Sequence, residues 1–568
     1  MNERRTRLDP SRREAAIAEL GTRDFDVIVI GGGITGAGAA LDAVSRGLSV
    51  ALLEAGDLAS GTSSRSGKVF HGGLRYLQQL NFSLVREALK ERDLMVDRLC
   101  PHLVSPELFT FPFTHRWQRP YVGAGVLLYD LLRLTGTRSV PGHRHLSRKG
   151  VLRRLPGLNP KPITGGVQYY DVRVDDARHT MTVARTAAGL GARVVTRAEV
   201  TGVLRDGDRV SGVRVRDRMN DTEFRVRGRS VISATGVWAE GVQALAGEES
   251  ISVTAAKGIH LVVPADRIDA HSGLIAPTDD SVFIIRRWFD YWLMGTTDTA
   301  WDHERDDPAA TAADVDYLLS QANKWLARPL TRDDVVGVYA GLRPLVSGRK
   351  GATAALSRDH TVMAGPSGMF TVVGGKYTTY RIMARDTVDA AVAYLGVRAP
   401  ASVTDRLPIL GADGFRALRH QSRALAEESG LDEAWIGHLL GRYGSLTADL
   451  LDLMGDRPEL AHPVPGAPGY LAAELYYAAS HEGALHLDDV LVRRTRVFME
   501  TPDHGVAAAP HAAAVVAEVL GWDAARQAEE VRRYRLEREA DARAAQSPTD
   551  AEAMTARESA RAQAKPRP

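Results

Sequence analysis

Cysteine is almost absent: Cys100 is the only one in 568 residues. A single thiol excludes intrachain disulfides, cysteine-ligated zinc, iron–sulfur clusters and dithiol redox chemistry. If the chain moves electrons, an organic cofactor carries them. A dominant charge is missing too, since 72 Lys and Arg stand against 70 Asp and Glu, leaving no overall field to draw nucleic acid or an acidic partner. Long apolar runs are also lacking. No stretch reaches the ~18 apolar residues of a spanning helix, and the nearest, Val27 to Leu41, carries five glycines and reads as a strand turning into a helix. The amino terminus, MNERRTRLDPSRREAAIAEL, has no apolar centre of the kind an export signal needs, so a cytoplasmic location is expected and any membrane contact is peripheral. No solenoid repeat, Walker lysine motif or Gly-x-Ser-x-Gly elbow occurs. No metal site is expected, because His143 and His145 lie in a basic loop without a cysteine pattern or partner carboxylate.

The length suits roughly three to four units of ~150 residues. Asp26 to Ile30 is a β-branched run ending in Gly31-Gly32-Gly33, followed by a helical stretch to Arg46 and a second strand from Leu48 to Glu54. This is a βαβ opening. Gly31, Gly33 and Gly36 form G-x-G-x-x-G directly after a strand and at a helix start, where the backbone can approach a pyrophosphate and the helix N-terminus can hold it. Glu54, 18 residues beyond Gly36, suits an adenosine ribose and repels a 2′-phosphate; a glycine turn serving only close packing is the alternative. Further strand patterns run at Arg193–Val200, Val210–Arg216, Ser230–Ala234, Phe283–Gly295 and Met369–Val373. Beyond Ala399-Pro400 the period becomes helical, as in Ala417–Ser429 and Tyr470–His481. From about Gln546 the chain is small, polar and charged, and is expected to be disordered.

Three later segments favour FAD over NAD. Gly61-Thr62-Ser63-Ser64-Arg65-Ser66-Gly67-Lys68 and His71-Gly72-Gly73-Leu74-Arg75-Tyr76 are rich in hydrogen-bond donors for a pyrophosphate and an isoalloxazine edge. Ala234-Thr235-Gly236 is a tight turn without side-chain bulk. Gly374-Gly375-Lys376-Tyr377-Thr378-Thr379 offers backbone N–H groups and a lysine to offset negative charge on a reduced flavin.

These segments, in this order, make the chain resemble the FAD-dependent glycerol-3-phosphate dehydrogenases of respiratory type. The likeness runs from about Asp26 to Thr495 through VIVIGGGITGAGAALDA, TSSRSGKVFHGGLRYL, VDDARHT, KGIHLVVP, GTTDT, YAGLRPL, VGGKYTTYR and AELYYAASHEGALHLDDVLVRRT. Arg65, Gly67 and Val237 depart from the family pattern. The resemblance implies an α/β fold: a doubly wound FAD-binding (Rossmann-like, glutathione-reductase-type) domain over 22–95, 165–250 and 337–400, an antiparallel-sheet substrate domain over 96–164 and 251–336, and an all-helical C-terminal domain over 401–545, with 546–568 as the tail. It assigns non-covalently held FAD to Gly31, Gly33, Ile34, Gly36, Glu54, Thr62, Ser63, Ser64, Lys68, His71, Gly72, Gly73, Leu74, Val200, Ala234, Thr235, Gly236, Gly375, Lys376, Tyr377 and Thr378. By the same resemblance, substrate falls to Arg75, Tyr76, Arg343 and Arg358, with Lys376 near the flavin. His260, in Lys257-Gly258-Ile259-His260, is the candidate general base on its own chemistry, in a strand expected to border the substrate pocket. His260, Arg343 and Lys376 thus form the expected catalytic set.

The chemistry of alcohol oxidation fits that assignment. It needs a base for the hydroxyl proton, a hydride acceptor and a hold on the substrate. Arginine's planar fork suits a phosphate handle, and imidazole titrates near working pH. For His260 a satisfied core histidine is the alternative, and Arg343 or a water is a rival for the proton transfer. Asp298 in GTTDT is a weaker candidate, equally readable as a turn cap. The expected reaction converts sn-glycerol 3-phosphate to dihydroxyacetone phosphate by hydride transfer to flavin N5, with electrons passed to membrane quinone. A dioxygen-using glycerol-3-phosphate oxidase, an amine or hydroxy-acid oxidase, and a flavin-bearing adaptor without turnover are the alternatives.

Between Thr114 and Lys161 ten Arg and Lys face one acid, Asp130, interleaved with Trp117, Tyr121 and Val126–Leu132. Such a segment can lie on an anionic bilayer at the inner face of the cell membrane, or form a solvated or subunit-packing face; RNA is a weak third. The C-terminal helices leave a homodimer open.

Overall fold

The computed structural model describes residues 6–73, 81–131, 139–247, 252–278, 282–346 and 360–564. Leu74, Arg75, Tyr76 and Arg358 lie outside them. Strand β1 (Asp24–Ile30) is almost continuously apolar and buried, as a strand covered on both faces requires. It leads through Gly31–Gly33 into helix α1 (Ile34–Ser45) and then β2 (Val50–Leu53). These belong to an eight-stranded sheet whose central order is His360–Ala364, Met369–Gly374, Thr222–Ser233, β1, β2, Arg193–Val195. All neighbours on that path run parallel except the first pair. The expected strand Arg193–Val200 is broken at Arg197, whose φ is +58°, into Arg193–Val195 and Ala198–Asp206.

A second, ten-stranded and mainly antiparallel sheet carries helix α2 (Gln118–Leu131) against it. At its heart β3 (Val253–Pro264) pairs along ten residues with β4 (Gly337–Val346). The expected Phe283–Gly295 strand is a hairpin of Val282–Trp288 and Tyr291–Gly295, and the second arm pairs with β3 so that Gly295 lies opposite His260. Strand alternation puts Ala256, Gly258 and His260 on one face of β3, and Lys257 and Ile259 on the other.

The C-terminal part is helical apart from a short hairpin, Pro463–Val464 with Ala467–Leu471. The hairpin delays the expected Tyr470–His481 helix to Ala472–Ser480. Two long helices close the chain, α3 (Ala524–Gln546) and α4 (Asp550–Ala564). Residues 550–564 are therefore helical, where the composition suggests disorder. Ala553 and Met554 are buried with Val237, Trp301 and Leu342, Asp550 pairs with Lys257 of β3, and Arg557 pairs with Asp307. These partners lie 293 and 250 positions away, so local composition carries no trace of them.

Candidate functional site

Register builds the first half of the site. Ile30 lies opposite both Leu53 and Ser233, so Gly31, Glu54 and Ala234 emerge side by side at the carboxyl ends of three parallel strands, where such sheets bind ligands. Backbone crowding there leaves no room for side chains. Gly31 has φ +108°, and a Cβ on Gly36 would sit 1.9 Å from the Gly31 carbonyl oxygen. Helix α1 starts at Gly33 without a side-chain cap, while the Ile34 N–H donates to Ser63 Oγ at 2.9 Å. Glu54 accepts from the N–H groups of Gly32 (2.5 Å) and Gly56 (2.6 Å); burial raises its pKa above the ordinary range, against the pull of those donors. A cradle that any Cβ would fill, an uncapped helix start and a strand-end carboxylate fit the pyrophosphate and ribose of a dinucleotide. Thr235 and Gly236 turn away beyond Ala234, with Gly236 at φ +57°, and Val200 is buried in the same cluster as Leu53.

The second half is a cavity of about 1010 Å³ between the two sheets. Its wall includes Thr62, His71 and Gly73, the turn Gly375, Lys376, Tyr377 and Thr378, and His260 with Arg343 from the substrate sheet. Two flavin-loop motifs are tied together here: the His71 N–H donates to Thr378 Oγ1 (3.2 Å), which donates back to the His71 carbonyl (3.3 Å). Gly374 and Gly375, at φ +74° and +77°, turn the chain so that Lys376, itself buried, borders the cavity.

His260 and Arg343 stand on one face of the β3–β4 ladder. His260 pairs across it with Tyr339, and the rings stack at 4.9 Å and 13°. Its Nδ1 is buried without a hydrogen-bond partner. Burial first, then the Arg343, Lys68 and Arg286 charges, pull its pKa down to about 3, so the resting imidazole is neutral. Arg343 spans the strand over Gly258, where a Cβ would come within 2.4 Å of Nη2. Its Nη2 donates to Thr296 Oγ1 and the Thr297 carbonyl, both at 3.1 Å, and Nη1 to Asp298 at 3.3 Å.

Other assigned residues lie elsewhere. Lys68 points away from this cavity: its ammonium bonds Asp176 at 2.8 Å and the Ser64 carbonyl at 3.0 Å, and burial draws its pKa down to about 8. Ser64 borders a separate space of about 620 Å³ against the C-terminal helices. Gly72 donates its N–H to Tyr129 Oη at 3.0 Å and to Asp171 at 3.3 Å. His143 does have a carboxylate, Asp130 of α2, at 2.7 Å. Three cavity neighbours escaped the sequence reading. Tyr339 was inside the YAGLRPL motif, whereas Arg286 and Asp171 sit in strands with no motif to mark them. Arg286 is 2% exposed and donates to Glu107, Gly67 and Lys68.

Helix α2 turns Val126 and Tyr129 inward and leaves Tyr121, Leu127 and Leu131 exposed, with Trp117 just before it. Tyr121 and the exposed Phe82 also edge the cavity. Among the described residues no helix is long and apolar enough to cross a membrane.

Residues 26–381 match the family of FAD dependent oxidoreductases, and residues 402–527 match the C-terminal domain of alpha-glycerophosphate oxidase. The chain is 52% identical over 555 residues to glycerol-3-phosphate dehydrogenase 2 of Mycobacterium tuberculosis, covering 97% of this chain and 94% of that protein. It is 35% identical over 547 residues to the mitochondrial glycerol-3-phosphate dehydrogenase of Bos taurus, covering 92% and 74%. The X-ray structure of the glycerol-3-phosphate dehydrogenase from Bacillus halodurans complexed with FAD is similar at a TM-score of 0.78 and 29% identity, covering 95% and 99%.

Proposed function

The chain belongs to the FAD-dependent glycerol-3-phosphate dehydrogenase family, and from that premise we propose that it oxidises sn-glycerol 3-phosphate to dihydroxyacetone phosphate and delivers the electrons to a membrane quinone. The observation that carries this reading is the meeting of Arg343, His260 and Lys376 in one cavity beside the Gly374–Thr378 turn. Bound FAD supplies the hydride acceptor, its N5.

The protein's own groups divide the remaining work. Arg343 takes the substrate phosphate with its fork, which Thr296, Thr297 and Asp298 hold in place. His260 accepts the proton of the secondary hydroxyl at Nε2, the ring nitrogen nearest Gly67 and Gly295 in the cavity wall. A phosphate on Arg343 offsets the charge that ranks second among the causes depressing His260. Substrate binding thereby raises the imidazole's basicity toward the working pH, where a base is most effective. Lys376 places a cation at the turn expected to lie along the flavin, offsetting negative charge as reduction proceeds.

The acceptor reading rests on the surface around α2. Trp117, Tyr121, Leu127 and Leu131 are 50–61% exposed, Arg116, Arg119, Arg144, Arg148 and Lys149 are exposed near them in sequence, and Tyr121 and Phe82 connect that surface to the cavity. Apolar and aromatic groups among cations suit the headgroup region of an anionic bilayer. The named kinship of the C-terminal domain to a glycerophosphate oxidase keeps dioxygen as the second reading. The direct test of substrate is anaerobic: glycerol 3-phosphate bleaches the flavin, whereas glycine, sarcosine and lactate do not. Bleaching by one of these three and not by glycerol 3-phosphate overturns the proposal.

A further inference from the structure

Two loops of the first domain face the cofactor cradle, Glu54–Ser60 and Thr62–Lys68. Each is linked to the G-x-G-x-x-G turn: the Ala59 N–H donates to the Gly32 carbonyl at 3.1 Å, and Ser63 Oγ accepts from Ile34. Each loop also depends on a buried carboxylate. Asp57 lies within the first, 1% exposed. Asp176, fully buried, holds the second by accepting from the Ser66 N–H (2.9 Å), Ser66 Oγ (2.7 Å) and the Lys68 ammonium (2.8 Å).

Asp176 already pairs with Lys68 of its own loop; the arginines that meet both carboxylates come from a single stretch of the C-terminal domain, Arg493-Arg494-Thr495-Arg496. Arg494 grips Asp57 with both arms of its fork, at 2.8 and 2.7 Å, and anchors itself on the Glu482 carbonyl at 2.9 Å. Arg493 adds a bond to Asp57 at 2.5 Å. Arg496 reaches Asp176 and Asp175, each at 2.5 Å. Arg494 and Arg496 are themselves 1% and 2% exposed. A carboxylate stays out of water only when paired and hydrogen-bonded. Without Arg493 and Arg494 the first loop must open to hydrate Asp57, carrying the contacts of Glu54 with it. Without Arg496, Asp176 keeps only Lys68 as counter-charge and holds the second loop, with its Ser63 contact, less firmly.

We infer that the C-terminal domain positions the cofactor loops, with Arg494 acting through Asp57 and Arg496 through Asp176 as positioning residues for FAD binding. This gives a role to a domain whose own sequence shows no catalytic motif, and it rests on the assignment of the Glu54 loop to the cofactor.

The test uses the full chain, stripped of FAD and titrated with it while flavin fluorescence is followed. Asp57→Asn/Arg494→Met removes both buried charges together, so the fold is spared an unpaired one. FAD is expected to bind this variant at least tenfold more weakly, while the KM for glycerol 3-phosphate at saturating FAD changes less than twofold, because Arg343 and His260 stand on the other sheet. Arg494→Lys keeps the charge but loses the fork, and is expected to weaken FAD three- to tenfold; it decides the matter if the double variant does not fold. FAD affinity within twofold of wild type in a folded variant overturns the inference, as does a loss of FAD affinity matched by an equal rise in KM. Glu54→Gln separates the causes of a failure. If Glu54→Gln weakens FAD while the arginine variants do not, the positioning role alone is wrong; if none of them does, the cofactor assignment of the loop falls as well.

Discussion

Replacing Arg343 with alanine tests the substrate assignment most sharply, because the loss should depend on whether the substrate carries a phosphate. Each hydrogen bond to a charged group contributes about 1.5–3 kcal/mol, and a guanidinium fork supplies two. The Asp298 carboxylate, 3.3 Å from Nη1, partly cancels the cation, so the lower part of the range applies: about 3–4 kcal/mol. At 1.4 kcal/mol per decade this is roughly a 10²–10³-fold loss. Stopped-flow flavin reduction under anaerobic conditions reads it directly. The half-saturating concentration of glycerol 3-phosphate should rise by that factor in Arg343→Ala and by less in Arg343→Lys, which keeps a point charge. Flavin reduction by unphosphorylated glycerol, which either enzyme can oxidise only slowly, should show little change. An equal loss for glycerol and for glycerol 3-phosphate would mean that the substitution damaged the cavity and that the phosphate is held elsewhere.

His260→Gln should lower the rate constant of flavin reduction by roughly 10²–10⁴ with a small change in half-saturation; a change in half-saturation alone makes His260 a binding group. Acid should destabilise the fold early. His102, His179 and His260 are buried, and each is drawn down to about 3, burial being the largest cause. Their unfolded forms protonate near pH 6.5 while the folded forms stay neutral, so the stability they contribute is complete above that pH and is lost as pH falls toward 3. Between pH 7 and 5.5 the loss is about 1.2 kcal/mol each, or about 4 kcal/mol for three. Denaturant unfolding at the two pH values measures it, His102→Gln should reduce the difference by about a third, and equal unfolding free energies would refute the argument. Removing two exposed cations with Arg116→Gln/Arg119→Gln should weaken binding to anionic vesicles by about 2 kcal/mol before screening, roughly 30-fold in co-sedimentation; binding equal to wild type would take these cations out of the membrane account.

What was legible in the sequence is what short-range chemistry writes into neighbouring residues. The dinucleotide turn announces itself because a strand, three glycines and a strand-end acid must fall at fixed spacing for the backbone to reach a pyrophosphate. His260 and Arg343 were readable from KGIH and YAGLRPL, although only the antiparallel register of β3 and β4 puts them on one face. Long-range pairing was not readable. Lys68 sits in a donor-rich loop and looks like a cofactor ligand, yet Asp176, 108 residues on, takes its ammonium. Arg286 joins the wall through Glu107 and two backbone carbonyls, and no local spacing encodes that. The helix Asp550–Ala564 packs on the rest of the chain through Lys257 and Asp307, which pair with Asp550 and Arg557, and a composition rule confined to local sequence cannot see those partners.

The central claim, a flavin that takes electrons from glycerol 3-phosphate and gives them to quinone, is tested most directly in one anaerobic sequence. The flavin is first reduced with one equivalent of glycerol 3-phosphate in the presence of anionic vesicles, and then reoxidised separately by a vesicle-borne quinone analogue and by dissolved dioxygen. The account predicts complete bleaching with one dihydroxyacetone phosphate formed per flavin, rapid reoxidation by quinone, and slow reoxidation by dioxygen. Stoichiometric hydrogen peroxide with an inert quinone would contradict the acceptor, and a flavin that stays oxidised with glycerol 3-phosphate would contradict the whole.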